Sequence, residues 1–229
     1  MLHEKTVERA TLDLIRRLSA DKALRDFVLV GGTALSLQLG HRKSIDIDLF
    51  TNKAFDPKAL ANHLNAQYKA ENTTVLGNAV FTWLEGVKTD LLAHQYPWIR
   101  PHTEAGGVRM ASMEDIAAMK LHAIVQSGSR LKDYVDVFLL LERNSLDQMV
   151  AAYTAKYNDG SPTVAKNALL YHHEIDFGKG VEMINRQMRW PEISKRLKEA
   201  VVEPKKIFQG ENIGERKDQS KGLGRGRKR

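Results

Sequence analysis

Apolar residues along the chain change their period twice, and each change marks a change of predicted structure. Between residues 3 and 25 they recur at helical spacing, with Val7, Leu14, Ile15 and Leu18 on one face among charges, which predicts an amphipathic helix. Residues 27–30 form a short apolar run that stops at Gly31-Gly32, the mark of a buried strand entering a tight turn. Thr33 is placed to cap a brief helix over 34–39, which Gly40 would end. Residues 45–49 then alternate strictly: Ile, Asp, Ile, Asp, Leu. In a strand this puts Asp46 and Asp48 on one face and Ile45, Ile47 and Leu49 on the other. Asp56-Pro57 opens a helix running to about residue 69. Residues 73–75, 79–84 and 87–93 read as further strands, with turns at Gly77-Asn78 and Glu85-Gly86.

After a turn at Gly106-Gly107 the rhythm becomes helical. The pattern predicts helices over 112–126, with Ser112 as N-cap, 132–143 and 145–157, then three more to about residue 208. The expected class is therefore α+β: a mixed-sheet α/β half over residues 1–110, an all-helical half over 111–209, and a tail over 210–229.

Composition narrows the setting. With 42% hydrophobic and 28% charged residues among 229, the chain can build one sizeable core or two small domains. No apolar run is long enough to span a membrane, and residues 1–20 lack the apolar stretch of a signal peptide. The expectation is a cytoplasmic protein without a membrane partner. There are no cysteines, which excludes disulfides and thiolate zinc sites. The net charge is +7, of which residues 210–229 supply +4 from seven Lys/Arg against three Asp/Glu. That tail is nearly free of apolar residues, so it is expected to be disordered and solvated, with a nonspecific nucleic-acid arm as the alternative.

The candidate chemistry lies at the front of the chain. Two carboxylates on one strand face repel unless a cation sits between them, and oxygen-only ligands suit magnesium. A strand feeding Gly31-Gly32-Thr33 and then a helix start lets backbone amides approach a phosphate. No Walker-type or GxGxxG loop is present. Asp90, in the strand VKTDLLA, is the candidate third carboxylate for a two-metal site and for activating an attacking hydroxyl. Lys88 shares its face and is a candidate phosphate contact or an ion-pair partner. His41, Arg42 and Lys43 precede the acidic strand and read as a basic rim or as ordinary loop residues.

Val30-Gly31-Gly32, then Asp46-Ile47-Asp48-Leu49 and a later strand acid at Asp90, resemble the polymerase-beta-like nucleotidyltransferase superfamily. Within it the chain is similar to the AbiEii/AbiGii-type nucleotidyltransferase toxins, which include the MenT toxins. That family carries a DxxxxK motif followed by an R-x-K-D motif. Here Asp115 to Lys120 and Arg130 to Asp133 match them in order, so the resemblance spans residues 25–145. It implies Mg2+, in a two-metal site with Mn2+ as the alternative, on Asp46, Asp48 and Asp90, and an NTP substrate. It further implies Ser44 near the triphosphate, Lys120 and Asp133 as catalytic residues holding the nucleotide, and Asp136 beside them. Asp133 and Asp136 are three apart and share a helix face near Arg130 and Lys132. The implied reaction moves a nucleoside monophosphate to RNA, the 3′ end of tRNA foremost, in a toxin–antitoxin system with a cognate antitoxin. Transfer to a small molecule or protein, and a noncatalytic RNA- or antitoxin-binding module, are the competing readings.

The remaining candidates read as structural. His172-His173 are adjacent and poorly placed as co-ligands. Trp83, Trp98 and Trp190 are expected in the core. Arg186, Arg189, Lys195, Arg196 and Lys198 make the late helices basic, either as a solvated face or as an RNA-contacting one.

Overall fold

The computed structural model describes residues 2–184 and 186–210; the predicted tail lies outside the described residues. In chain order the α/β half contains α1 (Arg9–Ala20), β1 (Val28–Leu29), α2 (Gly31–Leu39), β2 (Ile47–Thr51) and α3 (Pro57–Tyr68). It continues through β3 (Glu71–Leu76), β4 (Ala79–Leu84), β5 (Val87–Ala93), β6 (Thr103–Ala105) and β7 (Val108–Met110). The helical half follows as α4 (Met113–Gln126), α5 (Leu131–Leu140), α6 (Leu146–Lys156), α7 (Pro162–Ala168) and α8 (Trp190–Val202). The class is α+β, as the sequence predicts.

The strands form one seven-stranded mixed sheet in the order β3-β4-β5-β2-β1-β7-β6. β2 runs parallel to β5 and β1 parallel to β7, while the remaining neighbours are antiparallel. The β4–β5 hairpin turns on Glu85-Gly86, both at positive φ, the conformation that matches the twist of a two-residue hairpin. The pairing of β2 with β5 sets Asp48 directly beside Asp90.

Helix boundaries follow local chemistry. Asp56 accepts from the amides of Lys58 and Ala59 at the start of α3, with Pro57 as the first helical residue. Ser112 accepts from Asp115 N–H at the start of α4. A reciprocal Ser145–Gln148 capping box starts α6. Gly40, at φ 73°, ends α2 in the left-handed conformation. α4 buries Ile116, Ala117, Ala118, Leu121 and Ile124, and packs on α6, α5, α7 and α2. It is the element through which the helical half joins the helix that follows the glycine turn.

Several expectations change. The long first helix is shorter: α1 is flanked by 3-10 turns at Glu4–Thr6 and Lys22–Leu24, where Asp21 accepts from Ala23 N–H and starts a new turn. α2 begins at Gly31, so Thr33 lies inside it, its hydroxyl donating to the Asp46 carbonyl and sharing a 2.8 Å hydrogen bond with Ser44 Oγ. β2 begins at Ile47, which leaves Ile45 68% exposed instead of on the buried face. The Gly106-Gly107 turn joins two short strands, β6 and β7, that the sequence reading did not separate from loop. Beyond α6 there are two helices among the described residues, not three, because residues 169–184 and 186–189 form turns and loop between α7 and α8. Their backbone pairs with other loops: Asp176 N–H donates to Ser129 O, Lys43 N–H to Glu182 O, and Ile184 N–H to His41 O. Trp98 and Trp190 pack on the core, but Trp83 is 43% exposed on β4.

Candidate active site

The site grows from β1. After Leu29 the chain turns at Gly31, at φ 67°, directly into α2, leaving the first amides of that helix without intrahelical acceptors. Val30 N–H donates to Asp48 O across to β2, so the turn and the acidic strand are locked in register. A Cβ at Gly31 would meet Asp48 Oδ2 at 2.5 Å, and one at Gly32 would collide with the Arg42 guanidinium. Both glycines are thus required by the side chains that lie against them. Thr33 ties the other end of the acidic segment through Asp46 O and Ser44.

Two carboxylates, Asp48 and Asp90, lie on these strands, and a third, Asp46, sits just before β2 and not within it as predicted. Asp48 is held above the ordinary carboxylate range, first by burial and then by Asp90 beside it, with Lys120 and Lys132 opposing. Asp90 Oδ1 is buried with no hydrogen-bond partner, while its other oxygen takes Lys88 Nζ at 2.9 Å. That contact is the main reason Lys88 is shifted upward. Asp46 is more open and faces Lys132 Nζ at 3.4 Å. Among the described residues no three acidic or histidine side chains close into a ready-made metal cage. An all-carboxylate set with a buried unpartnered oxygen nonetheless fits a hard divalent cation, since magnesium binds through one or two carboxylates plus substrate phosphates.

Behind the acids stands a buried network of charge. Lys120 Nζ lies 2.8 Å from Asp133 Oδ1 and 2.7 Å from Asp136 Oδ2. Arg130 Nε takes the second Asp133 oxygen at 2.7 Å. Arg42 grips Asp136 with two bonds, Nε to Oδ1 at 2.7 Å and Nη2 to Oδ2 at 3.0 Å, and His41 Nε2 adds a third contact at 2.9 Å. Burial by itself would neutralise these groups, yet Lys120 and Arg42 hold Asp136 well below the usual carboxylate range. Asp136 and Asp133 in turn hold Lys120 above its ordinary value. His41 and Arg42 are therefore not a basic rim: both are buried struts to α5.

The sequence-predicted residues accordingly divide into two layers. Gly31, Gly32, Thr33, Ser44, Asp46, Asp48, Lys88 and Asp90 gather at the β1–α2 turn and the β2–β5 pair. Lys120, Asp133 and Asp136 meet one another from α4 and α5, and reach the first layer through Arg42 and Lys132. Asp136 is fully buried with both oxygens engaged. Asp115 and Lys120, five apart on α4, serve different networks. Asp115 binds Lys156 Nζ at 2.8 Å, Ser112 Oγ, and the backbone amides of Ile99 and Arg100. By sequence Arg42 figures only as part of a basic rim, Lys132 only within the R-x-K-D motif, and Lys156 not at all. The one signal for Arg42 was a cation set immediately before the acidic strand.

Comparison with known proteins agrees with this architecture. The profile of the family described as "Nucleotidyl transferase AbiEii toxin, Type IV TA system" matches residues 13–80 and 84–218. An uncharacterized protein of Aquifex aeolicus (strain VF5) is 29% identical over 155 residues, 65% of this chain and 75% of that one. The crystal structure of JHP933 from Helicobacter pylori superposes with a TM-score of 0.51 at 18% identity, covering 86% of this chain and 92% of that one. A second H. pylori structure, named as a candidate nucleotidyltransferase, gives 0.51 at 19% identity over 87% and 92%. At those identities the two structures speak for a shared fold alone. The profile, matched across nearly the whole described chain, speaks for the family: this chain belongs to the AbiEii nucleotidyltransferase toxins.

Proposed function

We propose that the chain transfers a nucleoside monophosphate from an NTP to the 3′ hydroxyl of an RNA, with tRNA the first acceptor to test, and releases pyrophosphate. The observation that carries this reading is the Asp48–Asp90 pair: adjacent carboxylates on parallel strands, one pressed against the Gly31 turn, the other with a buried unpartnered oxygen. The amides of Gly31, Gly32 and Thr33 orient the triphosphate at the start of α2, with Ser44 beside them. Lys88 and Lys120 supply positive charge from the two layers, and Asp133 and Asp136 hold Lys120 in place. Magnesium, or manganese, bound at Asp46, Asp48 and Asp90 would supply neutralisation of phosphate charge and activation of the attacking oxygen. In the reaction the 3′ oxygen forms a bond to the α-phosphorus as the bridging α–β P–O bond breaks, pyrophosphate departs, and Asp90 accepts the hydroxyl proton. As a member of a toxin family, the chain acts in this reading to arrest growth and is restrained by a cognate antitoxin. No helix among the described residues is long and apolar enough to cross a membrane, which is compatible with work on cytoplasmic RNA.

The test is incubation with total RNA and each α-labelled NTP in turn, with and without magnesium, beside the Asp48→Ala variant. Metal-dependent label at RNA 3′ ends that is lost in the variant supports the reading. Label found only in protein or in a small molecule sinks the RNA acceptor, and unchanged incorporation by Asp48→Ala sinks the catalytic assignment.

A further inference from the structure

The basic late region divides once its contacts are known. Arg186 and Arg196 both reach Glu142 Oε1, at 2.7 and 2.6 Å, and Arg189 is spent on Glu192 at 2.8 Å. Among the described residues Lys195 and Lys198 make no ion pair, and their spacing of three puts them on one face of α8. They line a cleft of about 410 Å³ together with Trp190, Pro191 and Ser194. The Trp190 ring is fixed edge-on by Tyr134 at 5.8 Å and His172 at 4.8 Å. Phe177, 52% exposed, meets it edge-to-face with ring centroids 5.3 Å apart.

This face is tied through the backbone to the buried layer behind the site. The residue before Phe177, Asp176, donates its N–H to Ser129 O and forms a β-bridge with Arg130, whose guanidinium holds Asp133, the partner of Lys120. Of the acids on the 169–189 segment, Asp176 is engaged by Gly178 N–H and Lys179, while Glu174 and Glu182 stay exposed. An exposed aromatic packed edge-to-face against a braced indole, beside two unpaired lysines, suits a strand whose bases are bare and whose backbone is anionic. A base-paired helix hides those faces.

We propose that Phe177, Trp190, Lys195 and Lys198 form the surface that holds a single-stranded segment of the acceptor RNA next to its reacting end. The inference rests on the RNA-acceptor reading above. A base stacks on Phe177, which Trp190 braces, and the two lysines neutralise phosphates.

The test is binding of a 5′-labelled single-stranded RNA 12-mer to the full chain without NTP, by fluorescence anisotropy at several salt concentrations. Phe177→Ala and the double variant Lys195→Gln/Lys198→Gln are compared with wild type, with NTP affinity measured alongside. All three substitutions are at surface positions. Phe177→Ala is expected to weaken RNA about fivefold or more, the loss of one stacked base, and the double variant is expected to weaken it by losing two phosphate contacts. The double variant should also reduce the slope of log affinity against log salt by about 1.4, two phosphate contacts on a single strand, with NTP affinity unchanged. Variants that bind RNA as wild type does overturn this surface and leave the acceptor reading standing. If wild type binds no RNA and labels another acceptor, the acceptor reading fails and this surface fails with it.

Discussion

The carboxylate of Asp48 rests on the backbone of Gly31, so close that a Cβ there would lie 2.5 Å from Oδ2. Gly31 is also at φ 67°, where an L side chain is strained. Gly31→Ala is expected to lower stability by roughly 1–2 kcal/mol from backbone strain alone and to abolish transfer by displacing Asp48. Denaturant unfolding gives the first quantity and nucleotide incorporation the second. A folded variant with wild-type turnover would show that the contact is incidental.

Asp90 is assigned the proton of the attacking hydroxyl. Asp90→Asn keeps the shape and removes the base, so kcat should fall by about 10²–10⁴ while NTP binding persists. Single-turnover kinetics separates the two. Undiminished chemistry would reassign the base to another group.

Lys132 reaches Asp46 at 3.4 Å from a side chain that is 41% exposed. Such a pair contributes little to folding, so Lys132→Ala should change stability by under about 0.5 kcal/mol. If the lysine passes to the triphosphate when nucleotide binds, KM for NTP rises more than kcat falls. An unaltered KM would make it an ordinary surface charge.

Asp136 carries the pH dependence. Its carboxyl is held well below the usual range by Lys120 and Arg42, so its stabilisation is complete above the unfolded value near 4 and is lost as pH falls through the depressed folded value. Asp136→Asn strips one charge from a buried network and should cost roughly 3–5 kcal/mol at neutral pH. That gap should be constant from pH 7 to 5 and narrow below about pH 4. Urea unfolding across the range measures it, and a gap as wide at pH 2.5 as at pH 7 would contradict the assignment. Arg42→Lys, which loses the two-pronged grip, should recover only part of what Arg42→Ala loses.

What could be read in the sequence was periodic. The alternation at 45–49 and the strand at 87–93 put Asp48, Asp90 and Lys88 together because a two-residue period fixes which side chains share a face. Helical spacing put Asp133 and Asp136 on one face of α5, but that Lys120 of α4 pairs with both is visible only in the structure. Buried ions escaped that logic. Arg42, His41 and Lys156 read as surface residues because a charge is normally solvated, and only their partners 94, 95 and 41 positions away make burial tolerable. The run of turns and loop after α7 escaped as well, since at Asp176, Glu182 and Ile184 its backbone is satisfied by distant loops.

That run has a consequence for cleavage. Gly178, Lys179 and Gly180 are exposed, while the backbone is anchored before them at Ser129-Arg130 and after them at residues 41–43. A protease that nicks the chain at Lys179 would therefore cut a strap fastened on both sides. The two fragments should travel together under native conditions and part only in denaturant.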